Sequence, residues 1–180
     1  LERARLHFAR AGALYRRHAR QTLLADAEVS ADSLWLAADS LDNAGDLEGA
    51  AELFGEYVDI RHDDPRQVEG DYRLARTFQA RGDYATASKA YEKILEQHPA
   101  SEEAYASYVP LAQCYLYDPA SADSQRAEEL LQFVISGDVF EPSAPEFRAA
   151  LLELGRLYMH IGRYAEAIRR LGEALERYPD

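Results

Sequence analysis

Apolar residues recur along this chain at intervals of three and four, the spacing that places them on one face of an α-helix. Short polar stretches, most of them with glycine or proline, separate eight such segments. Ala and Leu dominate the apolar positions, whereas the β-branched residues that favour strands are sparse. The pattern therefore predicts helices throughout, near residues 31–44, 47–62, 67–81, 84–97, 102–117, 123–136, 144–161 and 164–178.

The predicted helices form four pairs, and the same offsets return in each pair. Each helix carries a small residue that lets two backbones approach, followed three or four residues later by a large one that fills space between pairs. On the first helices these residues are Ala38 and Leu41, Ala75 and Phe78, Ala112 and Tyr115, and Gly155 and Tyr158. On the second helices they are Ala50 and Phe54, Ala87 and Tyr91, Ala127 and Leu131, and Ala167 and Leu171.

Glycine and proline mark where the helices of each pair begin and end. Gly45, Gly82 and Gly162 follow first helices, where the chain needs a positive φ angle. The third pair lacks this glycine, and its connection is three residues longer. Pro99 and Pro142 follow second helices, which proline cannot continue.

These offsets resemble the tetratricopeptide-repeat (TPR) family, whose 34-residue pattern reads W-x-x-L-G-x-x-Y, then A-x-x-x-F, then P. Four segments match in tandem from about residue 30 to Pro179. The resemblance implies an all-α solenoid, a right-handed superhelix of antiparallel helix pairs in which each pair buries its apolar face against its neighbours. We expect a TPR array over residues 30–180, with repeats near 31–66, 67–101, 102–142 and 143–180.

The two ends of the array are less regular. In residues 1–29 the spacing Ala4-x-x-x-Phe8-x-x-Ala11 fits either the second helix of a truncated repeat or a capping helix. No polar capping helix follows the fourth pair, so we expect further repeats in a longer protein or an end face that packs on another chain. The junction from Tyr91 to Ala104 resembles repeats of bacterial periplasmic and outer-membrane-assembly TPR proteins. This second resemblance implies a bacterial protein and leaves cytoplasm and periplasm open.

Charge is unevenly distributed along the chain, which has a formal net charge of −12. Residues 1–20 contain six arginines and a single acid, whereas residues 21–60 contain ten acids and no Lys or Arg. The acidic balance argues against a nucleic-acid partner. The acid-rich segment is either a solvated face or a surface for a basic partner, and that partner could be the basic first helix of another copy.

Candidate catalytic and metal-binding residues are few. The sequence has no phosphate-binding loop, no dinucleotide fingerprint, no H-E-x-x-H, no C-x-x-C and no G-x-S-x-G. The run His62-Asp63-Asp64 is interpreted as a polar turn, because consecutive side chains do not converge on one metal. Cys114 is predicted to be a small buried hydrophobic residue, and with one cysteine no intramolecular disulfide forms. We expect no enzyme activity, no cofactor and no metal, and no apolar run approaches the roughly 18 residues of a membrane span.

The family resemblance implies that the first helices line a concave groove in which a partner binds. The residues of each first helix that face this groove are identified by counting helical turns from its packing residues. The predicted partner-binding residues are Trp35, Asp39, Asp42, Asn43, Tyr72, Arg76, Gln79, Gln113, Tyr117, Arg156, Met159 and His160. Trp35, the single tryptophan, either projects into this groove as an anchor or packs on residues 1–29.

Three functions are compatible with the sequence. The first is a non-catalytic scaffold that binds a peptide or protein, with a basic partner as one expectation. The second is a homo-oligomerisation module that uses the charged segments or the uncapped end. The third is an accessory TPR region of a larger enzyme or regulator.

Overall fold

The described part of the chain consists of α-helices joined by short connections. The computed structural model describes residues 2–61, 66–137 and 139–179 and contains no strand within them. The helices are α1 (Glu2–Thr22), α2 (Ala27–Ala44), α3 (Leu47–Ile60), α4 (Gln67–Ala80), α5 (Tyr84–Gln97), α6 (Glu102–Tyr117), α7 (Ser124–Ile135), α8 (Pro145–His160) and α9 (Tyr164–Arg177). The run His62-Asp63-Asp64 lies outside the described residues.

The predicted helices agree with the observed ones to within two residues, except at the start of α2. This helix begins at Ala27, four residues before its predicted start, because Asp26 caps it. The Asp26 carboxylate accepts a hydrogen bond from the backbone N–H of Val29 at 3.1 Å. Such a cap satisfies a backbone donor that would otherwise lack a helical partner.

One backbone hydrogen bond closes all four helix pairs in the same way. The residue before the second helix donates its N–H to the carbonyl oxygen of the large packing residue on the first helix. The donor and acceptor pairs are Asp46 and Leu41 (2.9 Å), Asp83 and Phe78 (3.0 Å), Asp123 and Tyr115 (2.8 Å), and Arg163 and Tyr158 (2.8 Å). In three of these turns a glycine with φ between 78° and 83° makes the reversal, as predicted.

The turn of the third helix pair forms the same backbone hydrogen bond without a glycine. Asp118 ends α6, and its carboxylate accepts hydrogen bonds from the Ser121 hydroxyl at 2.7 Å and the Ala120 N–H at 2.9 Å. These bonds, that from Ser121 above all, hold the pKa of Asp118 below its usual range. The three extra residues are therefore ordered by a side chain that replaces the missing glycine turn.

The chain divides into two compact units, residues 1–90 and 91–180. In unit 1 (residues 1–90), α1 packs along α2 through small residues, and a Cβ atom at Gly12 would lie 2.6 Å from Leu41. Around this contact lies a core of residues from α1, α2 and α3, among them Ala19, Leu34, Leu53 and Phe54. Residues 1–29 thus contribute a full helix to the core of unit 1.

Unit 2 (residues 91–180) has a core of its own. Side chains from α6, α7, α8 and α9 meet in one cluster, joined by Phe140 from the connection between α7 and α8. Leu131, Leu151 and Leu154 are fully buried there. The two units thus each supply a rigid base for the side chains on their first helices.

We predict opposite effects for two Gly→Ala changes in unit 1. Gly45 has φ +83°, so Gly45→Ala should lower the free energy of unfolding by about 1 kcal/mol. Gly55 lies inside α3, and a Cβ atom there would meet nothing within 4 Å, so Gly55→Ala should raise it by about 0.5–1 kcal/mol. Urea denaturation of both variants measures the two values. Equal effects of the same sign would contradict the assigned turn geometry.

Candidate protein-interaction surfaces

In unit 1 an arginine ties together the two first helices, α2 and α4. The Arg73 guanidinium forms an ion pair with Asp39 and lies 3.7 Å from the Asp42 carboxylate. The guanidinium carbon Cζ of Arg73 also lies 5.4 Å from the centre of the Phe54 ring. Because Arg73 is largely buried, these contacts hold the acids at predicted binding positions in one arrangement.

In unit 2 a buried glutamate has the corresponding role between α6 and α8. Glu153 is only 2% exposed, and its carboxylate accepts hydrogen bonds from three side chains. The donors are Gln113 at 2.8 Å, Tyr117 at 3.2 Å and Arg156 at 2.6 Å. Three predicted groove residues therefore converge on one buried carboxylate.

Arg73 and Glu153 occupy the same position of the repeat with opposite charge. Each directly precedes a leucine followed by the small packing residue of its first helix. Their partners Asp39 and Gln113 also match, since each directly follows the small residue of the preceding first helix. Sequence analysis missed both residues. The recurrence of a charged residue at this one position was the signal that could have revealed them.

The other predicted groove residues of unit 1 differ in exposure. Trp35 is half-buried, and its ring packs edge-on against Phe54 and Tyr57 of α3 with centroids 5.4 and 5.1 Å apart. Exposed Asn43 donates to the Asp39 backbone carbonyl at 2.8 Å. On α4, Arg76 is exposed and lies 6.0 Å from the ring centre of half-buried Tyr72, and Gln79 is also half-buried.

In unit 2 the predicted residues form a more exposed surface. The Arg156 side chain is 64% exposed although its guanidinium contacts Glu153. Met159 and Tyr117 are 51% and 46% exposed, and His160 at the end of α8 is exposed as well. We call Tyr117, Arg156 and Met159, with Glu153 beneath them, the α6–α8 surface.

Much of the acid-rich segment of residues 21–60 is neutralised within unit 1. Arginines from α1, from α4, from the end of α3 and from the two ends of α4 reach its carboxylates. Besides Arg73, the pairs are Arg16 with Glu52 (2.6 Å), Arg61 with Glu28 (2.7 Å), Arg66 with Asp32 (2.8 Å) and Arg81 with Glu48 (2.5 Å). Asp26 and Asp46 instead cap α2 and α3. These acids therefore contribute less to an open acidic face than their number suggests.

The described residues include no group of three His, Cys, Asp or Glu side chains placed to hold a metal ion. Cys114 is buried, as predicted, and burial together with the nearby Asp118 charge raises the pKa of its thiol to about 12. Among the described helices none has the length and apolar character needed to cross a membrane.

Paired helices with an exposed first-helix face define a helical-repeat protein, and comparisons identify the family. Tetratricopeptide-repeat family models match residues 68–110 and 120–180, together more than half of the chain. The chain therefore belongs to the tetratricopeptide-repeat family. A comparison with curated proteins found no significant match. Repeats of this family generally mediate protein–protein interaction, and the fold is typically that of a non-catalytic scaffold.

Solved structures share the fold over almost the whole chain. Similar chains include the nearly identical TPR-like repeats of a kinesin light chain from Podosopora anserina (TM-score 0.67, 23% identity, 97% of this chain and 95% of that chain). BtubC from P. vanneervenii matches with TM-score 0.69 and 19% identity over 95% of this chain and 73% of its own. MamA from Desulfovibrio magneticus RS-1 matches with TM-score 0.66 and 19% identity over 93% and 94%. At these identities the likeness establishes the fold alone.

We predict that Glu153 stabilises unit 2 more than an exposed glutamate does. Glu153→Gln keeps the size of the side chain but removes the charge that three donors share, so the free energy of unfolding should fall by about 1–2 kcal/mol. The matched control is Glu176→Gln on the exposed side of α9, which should change it by less than about 0.5 kcal/mol. Urea denaturation measures the free energy of unfolding of both variants. Equal losses in the two would contradict the stabilising role of Glu153.

We predict that the Cys114 thiol reacts slowly in the folded protein. With its pKa near 12 instead of 9, the reactive thiolate is about a thousandfold scarcer at pH 8, and alkylation by iodoacetamide at that pH should be at least about a hundredfold slower than in urea. Because the folded pKa is raised, this thiol does not change the free energy of unfolding below pH 9, and it lowers that free energy progressively as the pH rises from 9 toward 12. Mass spectrometry of timed samples measures the rates. Rapid alkylation without unfolding would contradict the burial of this thiol.

Proposed function

We propose that this chain is a non-catalytic protein-interaction module and that a partner segment binds to the α6–α8 surface. The observation that carries the proposal is the convergence of Gln113, Tyr117 and Arg156 on buried Glu153. A buried carboxylate that holds exposed side chains in place reduces the entropy they lose when a partner binds. Such ordering is what a preorganised binding surface requires.

The residue types of the α6–α8 surface support the same proposal. Tyr, Met and Arg are enriched in the buried centres of protein interfaces, and here all three occur together and exposed. Met159 adapts its unbranched side chain to the partner, whereas Tyr117 offers a large area with few torsions.

The charges indicate which partner chemistry this surface favours. The Arg156 side chain is 64% exposed, and exposed Met159 follows it on α8 at an interval of three, which places the two on neighbouring positions of the helix surface. We infer that the partner segment presents a carboxylate next to an aliphatic or aromatic side chain. The basic partner expected from the sequence depended on the acids of unit 1, and there Arg73 already pairs with Asp39 and approaches Asp42.

Unit 1 carries a second candidate surface on α2 and α4. Arg76 and Asn43 are exposed there, and Trp35, Asp39 and Tyr72 are half-buried among the tied helices. We include this surface in the proposal as a separate contact. Its aromatic residues Trp35 and Tyr72 are half-buried, whereas Tyr117 and Met159 of the α6–α8 surface are exposed, so we expect it to contribute specificity more than affinity.

Peptide selection tests the proposal. Peptides selected on the immobilised chain from a random phage-displayed library should be rich in acidic residues beside apolar ones. Fluorescence anisotropy then gives their affinity for the wild type, Arg156→Ala and Met159→Ala, and each variant should bind about tenfold more weakly or worse. The matched control is Ile168→Ala, which removes an apolar side chain 71% exposed on α9 and should change the affinity less than about twofold.

Two results would contradict the proposal. One is a set of peptides whose affinity is unchanged by both Arg156→Ala and Met159→Ala. The other is a loss of binding only in Ile168→Ala, which would move the binding surface to α9. Thermal unfolding of each variant separates a binding defect from a folding defect.

A further inference from the structure

Helix α1 presents an apolar and basic stripe on the side that faces away from α2. Its buried residues Gly12 and Ala19 contact the core of unit 1. On the opposite side Leu6, Arg10 and Leu14 follow one another at intervals of four, so they form one line along the helix. Its end at Leu14 borders a shallow depression that Ser33 and Leu36 of α2 also line. Leu6 and Leu14 are 51% and 56% exposed, and Arg10 is exposed between them. We call these three residues the α1 stripe.

Unit 2 contains a cavity lined by apolar and acidic residues, which complement the apolar and basic residues of the α1 stripe. The cavity has a volume of about 370 Å³ and lies between α5, α6 and α7. Its apolar lining comes from all three helices and consists of Leu95, Leu111, Tyr115, Leu130 and Phe133. The carboxylates of Glu92, Glu96 and Glu129 also line it, together with Arg126. We call this site the α5–α7 cavity.

Two of the three glutamates extend the negative charge of the α5–α7 cavity toward solvent. Glu92 accepts a hydrogen bond from the Tyr115 hydroxyl and lies 4.0 Å from Arg126, so its charge is partly compensated. Glu96 and Glu129 are exposed, and the contact that Glu129 makes with the neutral Gln125 amide leaves its charge in place. An apolar depression with acids at its edge fits an apolar side chain flanked by a cation.

We propose that the α1 stripe of a second copy of this chain docks in the α5–α7 cavity. Leu6 or Leu14 fills the apolar depression, and Arg10 lies between Glu96 and Glu129. The acids of α2 and α3 are a poorer target for α1, because Glu28, Asp32, Glu48 and Glu52 already pair with arginines of their own unit. This contact is independent of the α6–α8 surface, which remains open to a partner.

The proposed contact joins two different surfaces, so each copy offers one stripe and one cavity. Head-to-tail contacts of this kind produce closed rings or growing filaments instead of a single symmetric dimer. The association should weaken with salt because charge pairs at its edge are solvent-exposed. The self-association would place several α6–α8 surfaces in one particle, which strengthens binding to a partner that carries repeated segments.

Two charge-reversal variants, measured alone and as a mixture, test the proposal. Sedimentation velocity over a range of concentrations at low salt should show association of the wild-type chain. Arg10→Glu and Glu129→Arg should each weaken it about tenfold or more, because each places like charges together. An equal mixture of the two variants should associate again to within about threefold of the wild type, because each stripe then meets a cavity of opposite charge.

The control variant is Arg20→Glu, which makes the same charge change on an exposed residue of α1 outside the stripe. It should leave the association within about twofold of the wild type. A wild-type chain that stays monomeric at every concentration would overturn the proposal. Association that survives both single variants, or a mixture that does not recover, would overturn it too. Loss of association in Ile168→Glu alone would assign the contact to exposed apolar residues of α9.

Discussion

A Cβ atom at Gly155 of α8 would lie 2.5 Å from the Leu171 side chain of α9, closer than packed atoms approach. This contact shows the constraint on which the repeat depends, because two helices can meet this closely only where a small residue removes the obstacle. Ala38, Ala75 and Ala112 serve the same purpose on the other first helices, and all three are fully buried. Once the backbones are this close, each large packing side chain fits in only one position. The two helix ends that the turn must join are then also fixed in position.

Close packing of the backbones also determines which side chains can interact between repeats. Arg73 and Glu153 lie two residues before the small residue of their helices, and each reaches the residue after the small position of the preceding first helix. A charged group there is shielded from water on one side by apolar packing, and its interactions are therefore stronger than on an open surface. In two of the four repeats this position therefore carries a charged side chain that links neighbouring first helices, with a positive charge in one repeat and a negative charge in the other.

The sequence allowed prediction of those features that depend on local spacing. Helix pairs, glycine turns and buried small residues follow from offsets of three to eight residues, and they agree with the structure. The start of α2 was predicted too late because Asp26 lies in a segment without the repeat pattern, where its capping role was not recognised. The ties made by Arg73 and Glu153 span 34 and 40 residues. Spacing within one helix carries no information on such contacts, so residues such as Gln113 were assigned to an open groove although they also serve the fold.

This double use changes what the exposed residues of a first helix can be expected to do. Asp39 and Asp42 are held by Arg73 and attract a cationic partner less than isolated acids would. In contrast, Arg156 has one contact with a buried carboxylate and keeps most of its side chain in solvent. Its position is therefore determined before any partner arrives, while its remaining donors stay accessible. A side chain with this combination can add affinity at small entropic cost, so under the proposed function the two units, although built from the same repeat, differ in what their exposed residues offer a partner.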